Sequence, residues 1–194
     1  MEGLLIDWGG VLTTSMLASL DAFGAREGCD ARGAFRDDPE ARQALIDLEN
    51  GDVSLDLFER RVAKRLGVDP HNLANRLTAD LHPDPQMRAA VRRLHDAGVK
   101  TALVSNSWRR ADYDDLDMFD AVVLSQRLGV RKPDPRIYEL ALERLQLPAG
   151  VCVFVDDLGG NLKPAKALGM TTIRHKRAAE TIPELERLLL PRRS

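Results

Sequence analysis

Short apolar runs alternate along most of this chain with longer stretches that carry an apolar residue every third or fourth position. Five runs read as strands: LLID (4–7), TALVS (101–105), AVVLS (121–125), VCVFVD (151–156) and TTIRH (171–175). They are mostly continuous rather than alternating, which suits strands covered on both faces. The segments between them read as helices. DPQMRAAVRRLHDAG has Asp84 as its N-cap, Pro85 in the first turn, Met87, Ala90, Val91 and Leu94 on one face, and Gly98 as its stop. DPRIYELALERL repeats the Asp-Pro start at Asp134 and Pro135, with Ile137, Leu140 and Ala141 facing one way. From residue 84 onward this alternation predicts a doubly wound α/β unit.

Residues 15–83 break the alternation and carry helical patterns only. In one of them Ser54 caps LDLFERRVAKRLG, with Leu55, Phe58, Val62 and Leu66 on one face and Gly67 at the end. The first strand is thus cut off from the other four by a helical insertion, expected to pack as a small lobe of its own.

Bulk composition narrows the function classes. The chain has 194 residues, 44% hydrophobic and 30% charged, with a formal net charge of −2, which suits one well-packed core plus an insertion. Near charge balance argues against a nucleic-acid partner, and the Arg60–Arg61 and Arg92–Arg93 pairs fall in helical patterns, as solvated faces do. Two cysteines, Cys29 and Cys152, make no disulfide scaffold, and Cys152 lies inside an apolar run where a reduced, buried thiol is expected. No apolar stretch is long enough to cross a membrane, so a cytoplasmic protein without membrane partners is the expectation.

Ligands of open parallel sheets bind beyond the carboxyl ends of the strands. Those ends carry Asp7 after the first strand, Ser105 and Asn106 after the second, and Asp156 and Asp157 after the fourth, followed by Gly159, Gly160 and Asn161; Lys132 lies in the loop after the third. Any one of these is an ordinary cap or turn residue. Together they place three carboxylates, a hydroxyl, an amide and an ammonium on one rim, a set suited to phosphoryl transfer. Carboxylates suit Mg²⁺, one can act as the nucleophile, and Ser105, backbone N–H groups near Asn106 and Lys132 can offset phosphoryl charge. Gly9 and Gly10 let the backbone come close to metal and phosphate.

In these motifs the chain resembles the haloacid dehalogenase-like (HAD-like) hydrolases. DWGGVLT looks like their first motif, LVSNSW the second, RKPDPRIY the third and FVDDLGGNLKPAKALGM the fourth. SNSW and the last stretch look most like the phosphatase domain of soluble epoxide hydrolase and its bacterial single-domain relatives. The resemblance implies a Rossmann-like three-layer core with a parallel sheet, residues 1–13 and 84–194, and an inserted α-helical cap, residues 14–83. It implies a Mg²⁺-dependent phosphatase of small phosphorylated molecules, monomeric or homodimeric. Asp7 would be nucleophile and metal ligand, with the Gly9 carbonyl, Asp157 and Asp156 at the metal, Asp157 the more direct ligand of the pair. Ser105, Asn106 and Lys132 would bind the phosphoryl group, Lys132 also stabilising its charge, while Asn161 and Gly10 support the loops.

One position departs from that pattern. Family phosphatases carry a second Asp two residues after the nucleophile, as general acid and then base; here the position is Gly9. Such a group is worth about 10²- to 10⁴-fold, or about 3–5 kcal/mol of barrier. The hydroxyls of Thr13, Thr14 and Ser15 are too weakly acidic to replace it. The expectation is therefore a phosphatase restricted to good leaving groups such as aryl, anomeric or acyl phosphates. Two alternatives stay open: a non-catalytic module that keeps the metal and phosphate site, and a metal-free 2-haloacid dehalogenase, against which the acidic pair in VDD counts.

Overall fold

The computed structural model describes residues 1–109 and 113–190. Its sheet follows from the apolar runs, which pair side by side in parallel. β1 (Gly3–Ile6) lies at the centre between β2 (Lys100–Ser105) and β4 (Cys152–Asp156); β3 (Ala121–Leu124) flanks β2 and β5 (Thr171–Arg174) flanks β4. Leu5 stands opposite Ala102 on one side and Phe154 on the other. The strand period of two then sends Leu4 and Ile6 to one face and Leu5 to the opposite face.

Ten helices are described: α1 (Met16–Glu27), α2 (Ala31–Asp37), α3 (Pro39–Glu49), α4 (Leu55–Leu66), α5 (Leu73–Leu77), α6 (Pro85–Asp96), α7 (Ser125–Leu128), α8 (Pro135–Leu145), α9 (Gly159–Ala167) and α10 (Ala178–Leu189). α6 and α10 cover the Leu4 and Ile6 face with Met87, Val91, Leu94, Leu185 and Leu189. α8 and α9 cover the Leu5 face with Ile137, Tyr138, Ala141 and Ala165. Each large apolar side chain buried this way contributes about 1.5–3 kcal/mol. The result is a three-layer α/β/α unit.

The expected helix starts form. Asp84 accepts from the amides of Gln86 and Met87, Asp134 from Arg136, and Ser54 from Leu57. Arg61, Arg92 and Arg93 reach exposed partners in Asp47, Asp117 and Glu186, and Arg60 reaches Asp56, as expected of solvated faces. β3, β4 and β5 are each one residue shorter than their apolar runs, while β1 and β2 each start one residue before theirs. The β2–β3 ladder ends at Ser105 opposite Leu124, so Ser125 has no strand to pair with and instead opens α7. Asp7, Val151 and His175 likewise fall just outside their strands.

α1 to α5 share a separate apolar cluster built on Phe23, Leu48, Phe58, Val62, Leu73 and Leu77. The chain leaves for this excursion and returns from it at one neck, where Thr13 bridges Pro83 and the Thr14 amide donates to the His82 carbonyl at 2.8 Å. The expected core runs to residue 194, and its last four residues lie outside the described ones.

Candidate active site

β1 ends where the Asp7 amide donates to the Val155 carbonyl at 3.0 Å, and the chain then turns sharply, the Trp8 carbonyl accepting from Leu12 at 2.8 Å. This turn lifts the Asp7 carboxylate to the carboxyl edge of the sheet. Its Oδ1 accepts from the Trp8 amide and from Lys132 Nζ, each at 2.7 Å. Lys132 reaches Asp156 Oδ2 at the same distance, so one ammonium bridges the ends of β1 and β4. The lysine is 1% exposed and is set in place through its backbone. Its amide donates to Asn106 Oδ1 at 2.8 Å, and Asn106 Nδ2 donates back to its carbonyl at 3.1 Å. The Asn106 side chain therefore positions Lys132 by bonding both its amide and its carbonyl.

Asp156 is fully buried and held from several sides. Besides Lys132 it accepts from the Leu158 amide at 2.8 Å and, on both oxygens, from Asn161 Nδ2 at 3.0 Å. Tyr138 fixes Asn161 in turn by donating to its carbonyl at 2.6 Å. Asp157, half-buried, lies against the DWGG turn: a Cβ added at Gly10 would stand 2.5 Å from its Oδ2. One oxygen from each of Asp7, Asp156 and Asp157 falls within 4.8 Å of the others.

The charge of this cluster points to a cation. Three carboxylates face one ammonium, an excess of two negative charges in a buried place. Burial pushes the Asp7 carboxyl up to about 7, with the Lys132 charge opposing and Asp156 adding to the rise. Burial and the Asp156 charge push Asp157 up to about 6. Burial alone would lower the Lys132 ammonium, but Asp7 and Asp156 hold it above the ordinary lysine value. A small divalent cation fits such a donor set, since it takes a few carboxylate oxygens and relieves this repulsion.

Ser105 closes β2 nearly fully buried, its Oγ 2.9 Å from the hydroxyl of Tyr113. Tyr113 carried no signal in the sequence beyond being a lone aromatic in a polar run. Two other residues at this edge went unrecognised. Trp108, just after SNS, packs into the α1–α5 cluster with its ring 5.4 Å from that of Phe58. Glu49, at the end of α3, is buried and pairs with Arg131 Nε at 2.6 Å, next to Lys132. Ser125 Oγ adds a bond to the Glu49 carbonyl at 2.5 Å. The signal for Arg131 was its place in the RKPDP loop; nothing marked Glu49.

The site is thus a carboxylate after β1, an acidic pair at the end of β4 and a loop lysine that bridges them. Residues 1–169 match the family model described as haloacid dehalogenase-like hydrolase. The chain belongs to this family of hydrolases. It is 40% identical over 110 residues to acyl-CoA dehydrogenase family member 10 of Mus musculus, covering 54% of this chain and 10% of that protein. It is 36% identical over 115 residues to bifunctional epoxide hydrolase 2 of Rattus norvegicus, covering 54% of this chain and 20% of that one. This HAD-like chain thus matches only a small part of either relative. A sesquiterpene phosphatase of Aspergillus oryzae is 28% identical over 151 residues, covering 73% of this chain and 76% of that protein. Among solved structures, a predicted HAD-like family hydrolase of Porphyromonas gingivalis superposes with a TM-score of 0.75 at 19% identity, covering 99% of both chains. A HAD family enzyme of Bacteroides thetaiotaomicron, solved in complex with magnesium and inorganic phosphate, gives 0.67 at 22% identity, covering 91% of this chain and 94% of that one. These likenesses carry the α/β fold. Among the described residues no helix is long and apolar enough to cross a membrane.

Proposed function

We propose that this HAD-like hydrolase is a Mg²⁺-dependent phosphatase of small phosphorylated molecules, acting through an aspartyl-phosphate on Asp7. The observation that carries the reading is the Lys132 ammonium, 2.7 Å from both Asp7 and Asp156, with Asp157 beside them. The phosphatase among the relatives supports the same reaction class.

In this reading the phosphoryl group lies over Asp7, its oxygens accepting hydrogen bonds from Ser105 Oγ and from backbone N–H groups at Asn106. Asp7 attacks phosphorus in line with the leaving oxygen. Its contacts to Trp8 and Lys132 both fall on Oδ1 and orient the carboxylate for attack. Water then attacks the phosphorus of the aspartyl-phosphate and releases the Asp7 carboxylate. Lys132 offsets the charge between nucleophile and phosphate throughout. Mg²⁺ would be held by Asp7, the Gly9 carbonyl and Asp157, with Asp156 orienting the site, and would supply charge neutralisation for the phosphoryl group. α1 to α5 form the cap that closes over the substrate and selects it. Gly9 itself brings no acid to the leaving oxygen, so aryl, anomeric and acyl phosphates are the substrates that depend least on a proton donor from elsewhere in the site.

The test is phosphate release from sugar, acyl, aryl and lipid phosphates, with and without Mg²⁺. Release by the wild type should depend on Mg²⁺, and Asp7→Asn should fall to background on every substrate. Turnover that survives in Asp7→Asn overturns the nucleophile assignment. Mg²⁺ binding without release from any substrate makes the protein a non-catalytic module.

A further inference from the structure

We propose that Tyr113 is the proton donor to the leaving oxygen, a catalytic residue doing the work of the carboxylate absent at position 9. The inference rests on the phosphatase reading above and deepens it.

The phenol is held in place by packing and by a neighbouring ion pair. The Tyr113 ring packs on Trp8, centroids 5.1 Å apart, and Trp8 is the residue between Asp7 and Gly9. The guanidinium of Arg88 lies 4.6 Å from the Trp8 ring centre, donates through Nε to the Leu12 carbonyl, and pairs with Asp114 at 2.8 Å. Residues 113 and 114 are therefore tied to the DWGG turn from two directions. From there the phenol oxygen reaches Ser105 Oγ at 2.9 Å, the hydroxyl assigned to the phosphoryl group. One side chain thus touches both the turn that lacks the acid and the residue that binds the reacting group.

Several other O–H and carboxyl groups among the described residues of this rim have tasks of their own. Asp156 is held by Lys132, Leu158 and Asn161. Asp157 lies against Gly10 within the metal cluster. Thr13 Oγ1 and Thr14 Oγ1 donate to the carbonyls of Thr14 and Asp80 at 3.0 Å. At Gly9, no atom of the other described residues beyond its chain neighbours lies within 4 Å of an added Cβ, so room is left beside the turn.

The chemistry suits a phenol. With an ordinary pKa of about 10 it carries its proton at neutral pH, and an alkoxide is a stronger base than the phenolate left behind. As the Asp7 oxygen bonds to phosphorus, the bond from phosphorus to the leaving oxygen breaks. Its electron pair stays on that oxygen, which takes the Tyr113 proton and departs as the alcohol. Water then attacks phosphorus and gives one proton to the phenolate. The bond from phosphorus to Asp7 breaks with its electron pair returning to the carboxylate, and inorganic phosphate leaves.

The experiment compares wild type, Tyr113→Phe, Gly9→Asp and the double variant on 4-nitrophenyl, phenyl and simple alkyl phosphates, with inorganic phosphate as competitive inhibitor. Phenylalanine keeps the ring on Trp8, and thermal melting checks that the fold is intact. The expected result is a kcat for alkyl phosphates lower by about 10²- to 10⁴-fold in Tyr113→Phe. 4-Nitrophenyl phosphate turnover and inhibition by phosphate should change little, and Gly9→Asp should restore alkyl turnover to Tyr113→Phe. Equal loss on all leaving groups with weakened inhibition by phosphate means that Tyr113 only orients Ser105, and overturns the proposal. No loss at all overturns it too, as does a wild type that cleaves 4-nitrophenyl phosphate and no alkyl phosphate. A wild type that cleaves nothing is a separate result, since it removes the phosphatase reading itself.

Discussion

Gly10 and Gly9 are neighbours with opposite tolerances. Gly10 sits at φ +74°, and a Cβ there would stand 2.5 Å from Asp157 Oδ2; at Gly9 the same atom meets nothing within 4 Å. Gly10→Ala is expected to cost about 1–2 kcal/mol for the left-handed backbone, and to displace Asp157 and weaken Mg²⁺ binding. Thermal melting and calorimetric titration with Mg²⁺ check the two effects, and an unchanged Mg²⁺ affinity would place the cation away from Asp157. By residue chemistry alone the two glycines carry the same meaning in the sequence, close approach of the backbone to a ligand, and only the family resemblance sets Gly9 apart as the position without an acid. A linear string holds no trace of the carboxylate, far along the chain, that distinguishes them. Tyr113 is the same case: its partners Trp8 and Ser105 belong to two other motifs.

At the scale of elements, what the sequence made legible was whatever is determined locally. Asp84 and Asp134 cap the helices they were expected to cap, because the capping amides lie two or three residues downstream. Strand ends are a different matter, since a strand stops where its neighbour does, and the β2–β3 ladder stops before Ser125. A carboxylate at the far end of that ladder ties several elements together. Asp120 accepts from the Thr101 amide at 2.8 Å and pairs with Lys100 at 3.1 Å, joining the start of β2 to the segment before β3. Burial pushes its carboxyl up, but the Thr101 amide and the Lys100 ammonium outweigh this and hold it below 3.8. A depressed carboxyl contributes stability that is present above the unfolded value and lost as pH falls through the folded one. Asp120→Asn, which keeps an acceptor for the Thr101 amide, is expected to cost at most about 1 kcal/mol near neutrality, and the difference from wild type should vanish well below pH 3.8. Urea unfolding of both proteins across pH gives the curve, and a gap that persists into acid would refute the assignment.

For the molecule as a whole, the question is what ties the α1–α5 cluster to the sheet. Trp108 comes from the loop after β2 yet is buried in the α1–α5 cluster, against Phe58. Glu49 and Arg131 pair across the same boundary. Trp108→Ala should cost about 3–5 kcal/mol and raise amide exchange along Leu55–Leu66, with denaturant unfolding and hydrogen exchange as the measurements. Unaltered exchange in that helix would show that the tryptophan does not couple the two parts. Periodicity exposed the apolar face of Leu55, Phe58 and Val62 in advance, but an amphipathic face does not say what covers it. That the cover includes a tryptophan from the loop after β2 could be known only from the fold.

The neck at Thr13 and Pro83 has a consequence of its own. Both ends of the excursion meet at a single bridge, and Asp7 is anchored on the sheet side of it through Val155 and Lys132. The neck is only part of the boundary, since Glu49 and Phe58 beyond it also meet Arg131 and Trp108 in the loops that carry Lys132 and Asn106. A foreign segment spliced in at Thr13 and Pro83 therefore has to bring its own partners for that guanidinium and that indole, or it leaves the loops on the sheet side without their support.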